Sequence, residues 1–299
     1  MWHWGKGKSQ KVNVKSKGLK AFTFFLFTFA LAVVGCSGRA TRSDTQPLLD
    51  VTAGQLIQLL HERETAVQTM KGLFRAQIQG PGIPIAQRVE GALFYRRPDA
   101  LRLQGFNRLG GGLFEFILGT NVYALRLPTG QVYSGRPAEL ERVGAVARPF
   151  RLSVLAMSGV VGTPSVTEQE RVRVSMDGDR YRLDVFAASS EREPPTPSRR
   201  IWFDRHSLQV VQEDRMNPAG EVEASVQFED YRSVNAWPEG GSVPTGHNPL
   251  VSLMKPFRVT AQDGLGRSII FVTFHEIVPN AMLKPDELKL AQATTTRKE

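Results

Sequence analysis

From Lys71 to Glu276 the sequence repeatedly alternates polar and apolar residues with a period of two. Segments rich in Gly, Pro, Asn or Asp divide one run from the next. No other feature constrains the fold so tightly. A period of two puts successive side chains on opposite faces of a strand, and short turns between consecutive runs pair neighbours antiparallel. In the first run Leu73, Arg75, Gln77 and Gln79 interleave with Phe74, Ala76 and Ile78, up to the turn at Pro81-Gly82. Further runs span 89–95, 100–106, 113–118, 121–127 and 131–133. After a break they resume at 170–176 and 180–187, joined by Asp177-Gly178-Asp179, then at 200–204, 209–214, 221–231, 256–262 and 268–276. This predicts about a dozen strands in one meander.

Two stretches depart from that period. Thr52 is a predicted N-cap, and Leu56, Leu60, Arg63, Val67 and Met70 follow at helical spacing, with Leu59 and Ala66 widening the stripe. Between Arg136 and Gly162, Pro137 and Pro149 each stand at a first helical position, which predicts helices over 137–146 and 149–160. The second is strongly apolar and too short to span a bilayer. A wide antiparallel sheet curls, and its concave face must be filled. The expected fold is mostly β with a few helices: a strongly curved antiparallel sheet or unclosed barrel, with an N-terminal helix and a helical insert as plug or lid. Polar or Gly/Pro-rich loops are expected at 189–199 and 236–249. A proline-marked tail with Leu283, Leu288 and Leu290 is expected against the sheet.

The N-terminus has a different character. Lys6, Lys8, Lys11, Lys15, Lys17 and Lys20 precede an apolar run from Ala21 to Gly35, which ends at Cys36, the one cysteine of the chain. A basic segment, a short apolar core and small residues make a secretory signal, 1–35. Val33-Val34-Gly35-Cys36 resembles the lipobox of bacterial lipoproteins, which implies acylation of Cys36 and membrane attachment through lipid. Ser37 and Gly38 follow without an aspartate, which resembles default export to the outer membrane. Residues 36–50 are the expected lipidated tether, and 51–299 the folded domain facing the periplasm. All six basic residues before Cys36 belong to targeting, so the mature part carries 32 basic against 29 acidic residues and the +9 of the full chain is mostly signal. No basic face is clustered enough to point to nucleic acid. With no second cysteine, stability must come from an ordinary core.

Gly91-Ala92-Leu93-Phe94-Tyr95-Arg96-Arg97-Pro98-Asp99-Ala100-Leu101-Arg102 resembles the lipoprotein-localisation family, that is, LolA/LolB-like outer-membrane lipoproteins and their periplasmic carrier. Ile201-Trp202-Phe203-Asp204 and Val226-Gln227-Phe228-Glu229-Asp230-Tyr231 are similar to later elements of that fold. The resemblance runs from about Val51 to Leu290 as element order and degenerate pattern. It implies an unclosed barrel with a helical lid over an apolar cavity that receives acyl chains. By analogy with the receptor, Leu109 in the loop after Phe106 would be a membrane-insertion residue; the alternative is a turn leucine packed on its own hairpin. By analogy with the carrier, Arg75 and Arg102 would turn inward and bond the lid; the alternative is that they face water. Phe94, Leu103, Phe116, Val122, Leu155 and Phe203 are the inward-facing candidates for lipid or cargo, with plain core packing as the other reading. The chain's length, Pro-rich loops and lipobox depart from the carrier.

No catalytic set is recognisable. His3, His61, His206, His247 and His275 lack metal-ligand spacing, and Ser252-Leu253-Met254-Lys255 has the S-x-x-K spacing without its companion motifs. No cofactor, metal or enzymatic activity is expected. The sequence thus supports a monomeric, lipid-anchored binder of acyl chains or lipoproteins. The alternative is a non-enzymatic envelope assembly module whose concave face is filled by its own side chains.

Overall fold

A computed structural model describes residues 47–81, 83–137, 139, 148–188, 195–236 and 252–289. All described elements belong to one unit that begins at Leu48. Thr52 caps the first helix, α1 (Ala53–Thr65), in a reciprocal capping box with Gln55. Strands β1 (Thr69–Gly80), β2 (Ile83–Arg96), β3 (Ala100–Phe106), β4 (Gly112–Leu118), β5 (Tyr123–Arg126) and β6 (Val132–Gly135) follow. A second helix, α2 (Arg148–Gly162), precedes β7 (Arg171–Asp177), β8 (Arg180–Phe186), β9 (Arg199–Asp204) and β10 (Val210–Met216). The order ends with β11 (Val222–Asn235), β12 (Ser252–Asp263) and β13 (Ile269–Pro279). The predicted helix over 137–146 lies outside the described residues, apart from Pro137 and Glu139. So do 189–194 and 237–249 of the predicted loops, and Cys36 with most of the tether.

All thirteen strands form one antiparallel sheet in the order β6-β5-β4-β3-β2-β1-β13-β12-β11-β10-β9-β8-β7. No ladder joins β6 to β7, so the barrel is unclosed, as expected. The chain runs outward from β1 to one edge and starts again at the opposite edge with β7. It then returns inward until β13 pairs with β1, with Phe74 opposite Phe274 and Ala76 opposite Val272. The connection between the two edges has to cross a face of the sheet, and it carries α2. That route makes α2 a cover by topology.

The core is a single cluster between the sheet's inner face and the two helices. It joins Leu56 and Leu60 of α1, and Leu152, Met157 and Val160 of α2, to Leu103, Phe116, Leu183, Phe203, Val226 and Phe274 of the sheet. α1 is shorter than its apolar periodicity suggests. It stops at Thr65, while Val67 and Met70 stay buried in the turn and in β1. Asn280 enforces that stop: its side chain accepts from Gln68 N at 2.8 Å and donates to Ala66 O at 3.0 Å, and its own amide donates to Thr69 O. Helix and strand thus share one apolar surface across a change of period.

Consecutive hairpins divide the turns between two ends of the sheet. At the near end the chain enters: Leu49 N donates to Arg205 O at 2.9 Å, and Tyr181 Oη donates to Leu49 O at 3.0 Å. Leu48–Asp50, expected as tether, is therefore docked on the β7–β8 and β9–β10 turns. The far end carries the β3–β4, β10–β11 and β12–β13 turns. Of the predicted tail, Leu290 lies outside the described residues. The described part is held on the sheet's outer face through polar contacts: Lys71 pairs with Glu287 at 2.8 Å, and Arg102 donates to the carbonyls of Asp286 and Glu287 at 3.1 Å each.

Candidate functional site

α2 begins at the far end, where Phe150 meets Phe114 edge-on and stacks on Phe116, with ring centroids 4.9 and 5.6 Å away. Gly159 faces the Phe228 ring so closely that a Cβ there would overlap it. At the helix's other end, the Val161 carbonyl accepts from the Lys255 ammonium at 2.6 Å. Two clefts flank the start of the helix. One, of about 350 Å³, lies between Ile78, Val89, Phe114, Leu127 and Phe150. The other, of about 450 Å³, is mixed: Leu152, Val222, Ala224 and Leu265 line it together with Arg151, Glu221, Glu223, Asp263 and Arg267. Both fall within the few hundred Å³ typical of small-ligand pockets.

The sequence-predicted acyl residues divide sharply. Leu103, Phe116 and Phe203 face inward and are almost wholly sealed in the core, and Leu155 packs against that core from α2. Phe94 does not face inward. It stands opposite Arg102 on the outer face, where the guanidinium covers its ring at 5.8 Å. Val122 is not a strand residue but lies in the β4–β5 turn, 51% exposed. None of the six lines either cleft; the apolar residues that do include Ile78, Val89, Phe114, Leu127, Phe150, Leu152 and Leu265. An aromatic at the first turn of a Pro-started apolar helix, as Phe150 is, was the one signal in the sequence that pointed there.

Neither arginine bonds the lid. Arg75 projects outward to an exposed ion pair with Glu90 at 2.7 Å. Arg102 is buried, but on the outer face, where it pairs with Glu115 and holds the tail. Adjacent strand residues face opposite sides, so with Leu103 in the core Arg102 had to point out. The inward cations are others. Arg199 donates to the carbonyls of Pro164 and Ser165 at 2.8 Å each, tying down the segment after α2, and burial lowers its pKa. Lys255 and Arg63 lie beneath α2.

Leu109 stands 96% exposed at the tip of the β3–β4 hairpin. The loop is built to present it. Asn107 Oδ1 accepts from Leu109 N and Gly111 N at 2.9 Å each, and Gly110 supplies the φ of +81° that the turn needs. Leu265, 71% exposed on the β12–β13 turn, stands at the same end. The hairpin therefore does not pack on its own leucine.

Among the described residues no three His, Cys, Asp or Glu side chains gather as metal ligands. Ser252 and Lys255 are three positions apart on β12, hence on opposite faces. The serine is exposed and bonded to Ser233, and the lysine is buried. They form no nucleophile–base pair.

No known family model matches the sequence, and no curated protein does. Solved structures do. A putative outer membrane lipoprotein-sorting protein domain from Vibrio parahaemolyticus is similar at TM-score 0.50 and 10% identity, over 80% of this chain and 97% of that one. A LolA superfamily protein from Nitrosomonas europaea gives the same four values. A DUF1329 family protein from Desulfovibrio piger gives TM-score 0.52 and 8% identity, over 79% and 97%. At such identities the likeness is one of fold.

Proposed function

We infer that this chain, which has the LolA/LolB-like fold, is a non-enzymatic lipoprotein of the cell envelope. Acylated Cys36 holds it on the outer membrane as a monomer, and it receives acyl chains, free or borne by a lipidated protein, between its sheet and α2. One observation carries this reading: the edge-to-edge connection lays an apolar helix across the inner face and leaves a mainly apolar cleft of about 350 Å³ beside its first turn, with a second cleft of about 450 Å³ of mixed apolar and charged lining on its other side. A helix seated by aromatic contacts and a few hydrogen bonds, and not by a ladder, can yield to a ligand. Burial of acyl methylenes then supplies the driving force, at about 25 cal/mol per Å² of apolar surface. The resemblance of 91–102 to the lipoprotein-localisation family supports it, as does the exposed Leu109 near the clefts' end of the sheet. No nucleic acid, metal or cofactor enters.

A second reading has its own observation. Leu103, Phe116 and Phe203 are sealed by the helices, so most of the interior is already filled. That favours an envelope assembly module whose partner is a protein. Native mass spectrometry of the chain purified gently from envelopes separates the two. Extra mass of lipid size, lost on delipidation, is expected. A clean apo mass with a co-purifying protein would support the assembly module instead.

A further inference from the structure

Lys255 of β12 is 4% exposed, and among the described residues no carboxylate pairs with it. Its ammonium has three protons and makes one hydrogen bond, to Val161 O. It borders a small cavity of about 30 Å³, together with Arg63 of α1, Tyr231 of β11, and Gln209 and Thr163. Arg63 donates to Leu208 O at 2.7 Å and Tyr231 Oη to Val210 O at 2.5 Å, so neither offers Lys255 a negative charge. Arg232, the cross-strand neighbour of Lys255, is engaged by Asp230 at 2.7 Å. Among the described residues no carboxylate lines the cavity. At the cavity, buried Lys255 thus meets a second cation, the partly buried Arg63, and no carboxylate among the described residues, an arrangement that an anion would relieve. Burial, then the nearby Arg63, pulls the Lys255 pKa down to about 7, the response of an ammonium left alone.

We propose that Lys255 and Arg63 form an anion site for a single carboxylate, the head group of an acyl ligand. The donors set the class: one ammonium and one guanidinium beside a cavity of about 30 Å³ match the two oxygens of a carboxylate. The apolar part of the lining, Leu60, Val210, Met254 and Pro256, receives the first methylenes. The site thus gives α2 a polar pole at its C-terminal end, opposite the mainly apolar cleft around Phe150 at its start. This rests on the acyl-binding reading for the source of the carboxylate, though not for the existence of the anion site.

The test uses the full chain in nonionic detergent, with apparent affinities read from the rise of the thermal midpoint with ligand concentration. The probes are palmitate, methyl palmitate and acetate. Palmitate is expected to bind about tenfold more tightly than its ester, the worth of one charge-assisted hydrogen-bonded contact. Lys255→Met and, separately, Arg63→Gln should erase that difference between acid and ester. Equal affinity for acid and ester in the wild type overturns the head-group site and leaves acyl binding standing. If neither acyl probe binds but acetate stabilises the wild type and not Lys255→Met, the anion site stands, it takes free small carboxylates, and the acyl reading falls. No response to any probe overturns both.

Discussion

Arg75 and Arg102 look alike in the sequence, each on a strand with apolar neighbours, and a covering segment separates their fates. Arg75 and Glu90 face water, where an ion pair contributes about 0–1 kcal/mol. Arg102 and Glu115 lie under the tail, with Arg126 3.3 Å from the same carboxylate. Glu115→Ala leaves two cations there and is expected to cost about 3–5 kcal/mol, against less than about 1 kcal/mol for Glu90→Ala. Urea midpoints at unchanged slope measure both. Equal small losses would mean that the tail does not exclude water. Lys255 makes a pH prediction. Its folded pKa of about 7 lies below the ordinary lysine value of 10.5, so between those limits the unfolded chain binds the extra proton and stability rises with pH. The penalty is fully present below pH 7 and fades as pH climbs toward 10. The groups facing it do not reproduce that window, since Arg63 stays charged and burial pushes the Tyr231 phenol up, keeping it neutral. Unfolding free energies of wild type minus Lys255→Met at pH 6, 8 and 10 should rise along that series. A flat difference would show Lys255 already paired.

At the scale of elements, the hairpins were legible because their turns carry their own chemistry. Asp177-Gly178-Asp179 and Asn217-Pro218-Ala219-Gly220 fall where the chain reverses, with Gly178 and Gly220 at positive φ. Absolute facing was less legible. A period of two states which residues share a side and leaves open which side is inside, and Phe94 looks inward only until the distant tail is known to shelter the outer face. The helix boundary at Thr65 was hidden for the same reason, since Asn280, over two hundred positions away, sets it. α2 is the element on which function turns. Gly159 lets it lie against Phe228, so Gly159→Val should lift the helix. If α2 is a yielding cover, the variant binds more of an apolar fluorescent probe while far-UV dichroism and cooperative unfolding persist. Loss of cooperative unfolding together with probe binding would make α2 plain core.

The whole molecule presents two ends to its surroundings. The chain enters at the near end, through Leu49 and Asp50 on the Tyr181–Arg205 turns, while Leu109 and Leu265 stand at the far end beside Arg108 and Arg267. β1 has twelve residues, which at about 3.3 Å per residue makes some 40 Å along the strand. The eleven residues from Ser37 to Pro47 reach about 36 Å when extended, at about 3.3 Å each. If Cys36 is acylated and held in the bilayer, this reach falls just short of the strand's length, so the far end meets that same bilayer only with the tether almost fully extended and the domain tilted toward the membrane. Shortening it by five residues leaves a reach of about 20 Å, which would hold the near end down and keep Leu109 clear of lipid. A bimane label at Arg108→Cys in the lipidated chain on vesicles should therefore shift to the blue in the full-length tether. The shift should vanish on deletion of residues 40–44, and equally with Leu109→Glu, which should also abolish insertion of a lipidated cargo. A blue shift that survives both changes would place the loop in contact with something other than the membrane and remove Leu109 from the delivery step.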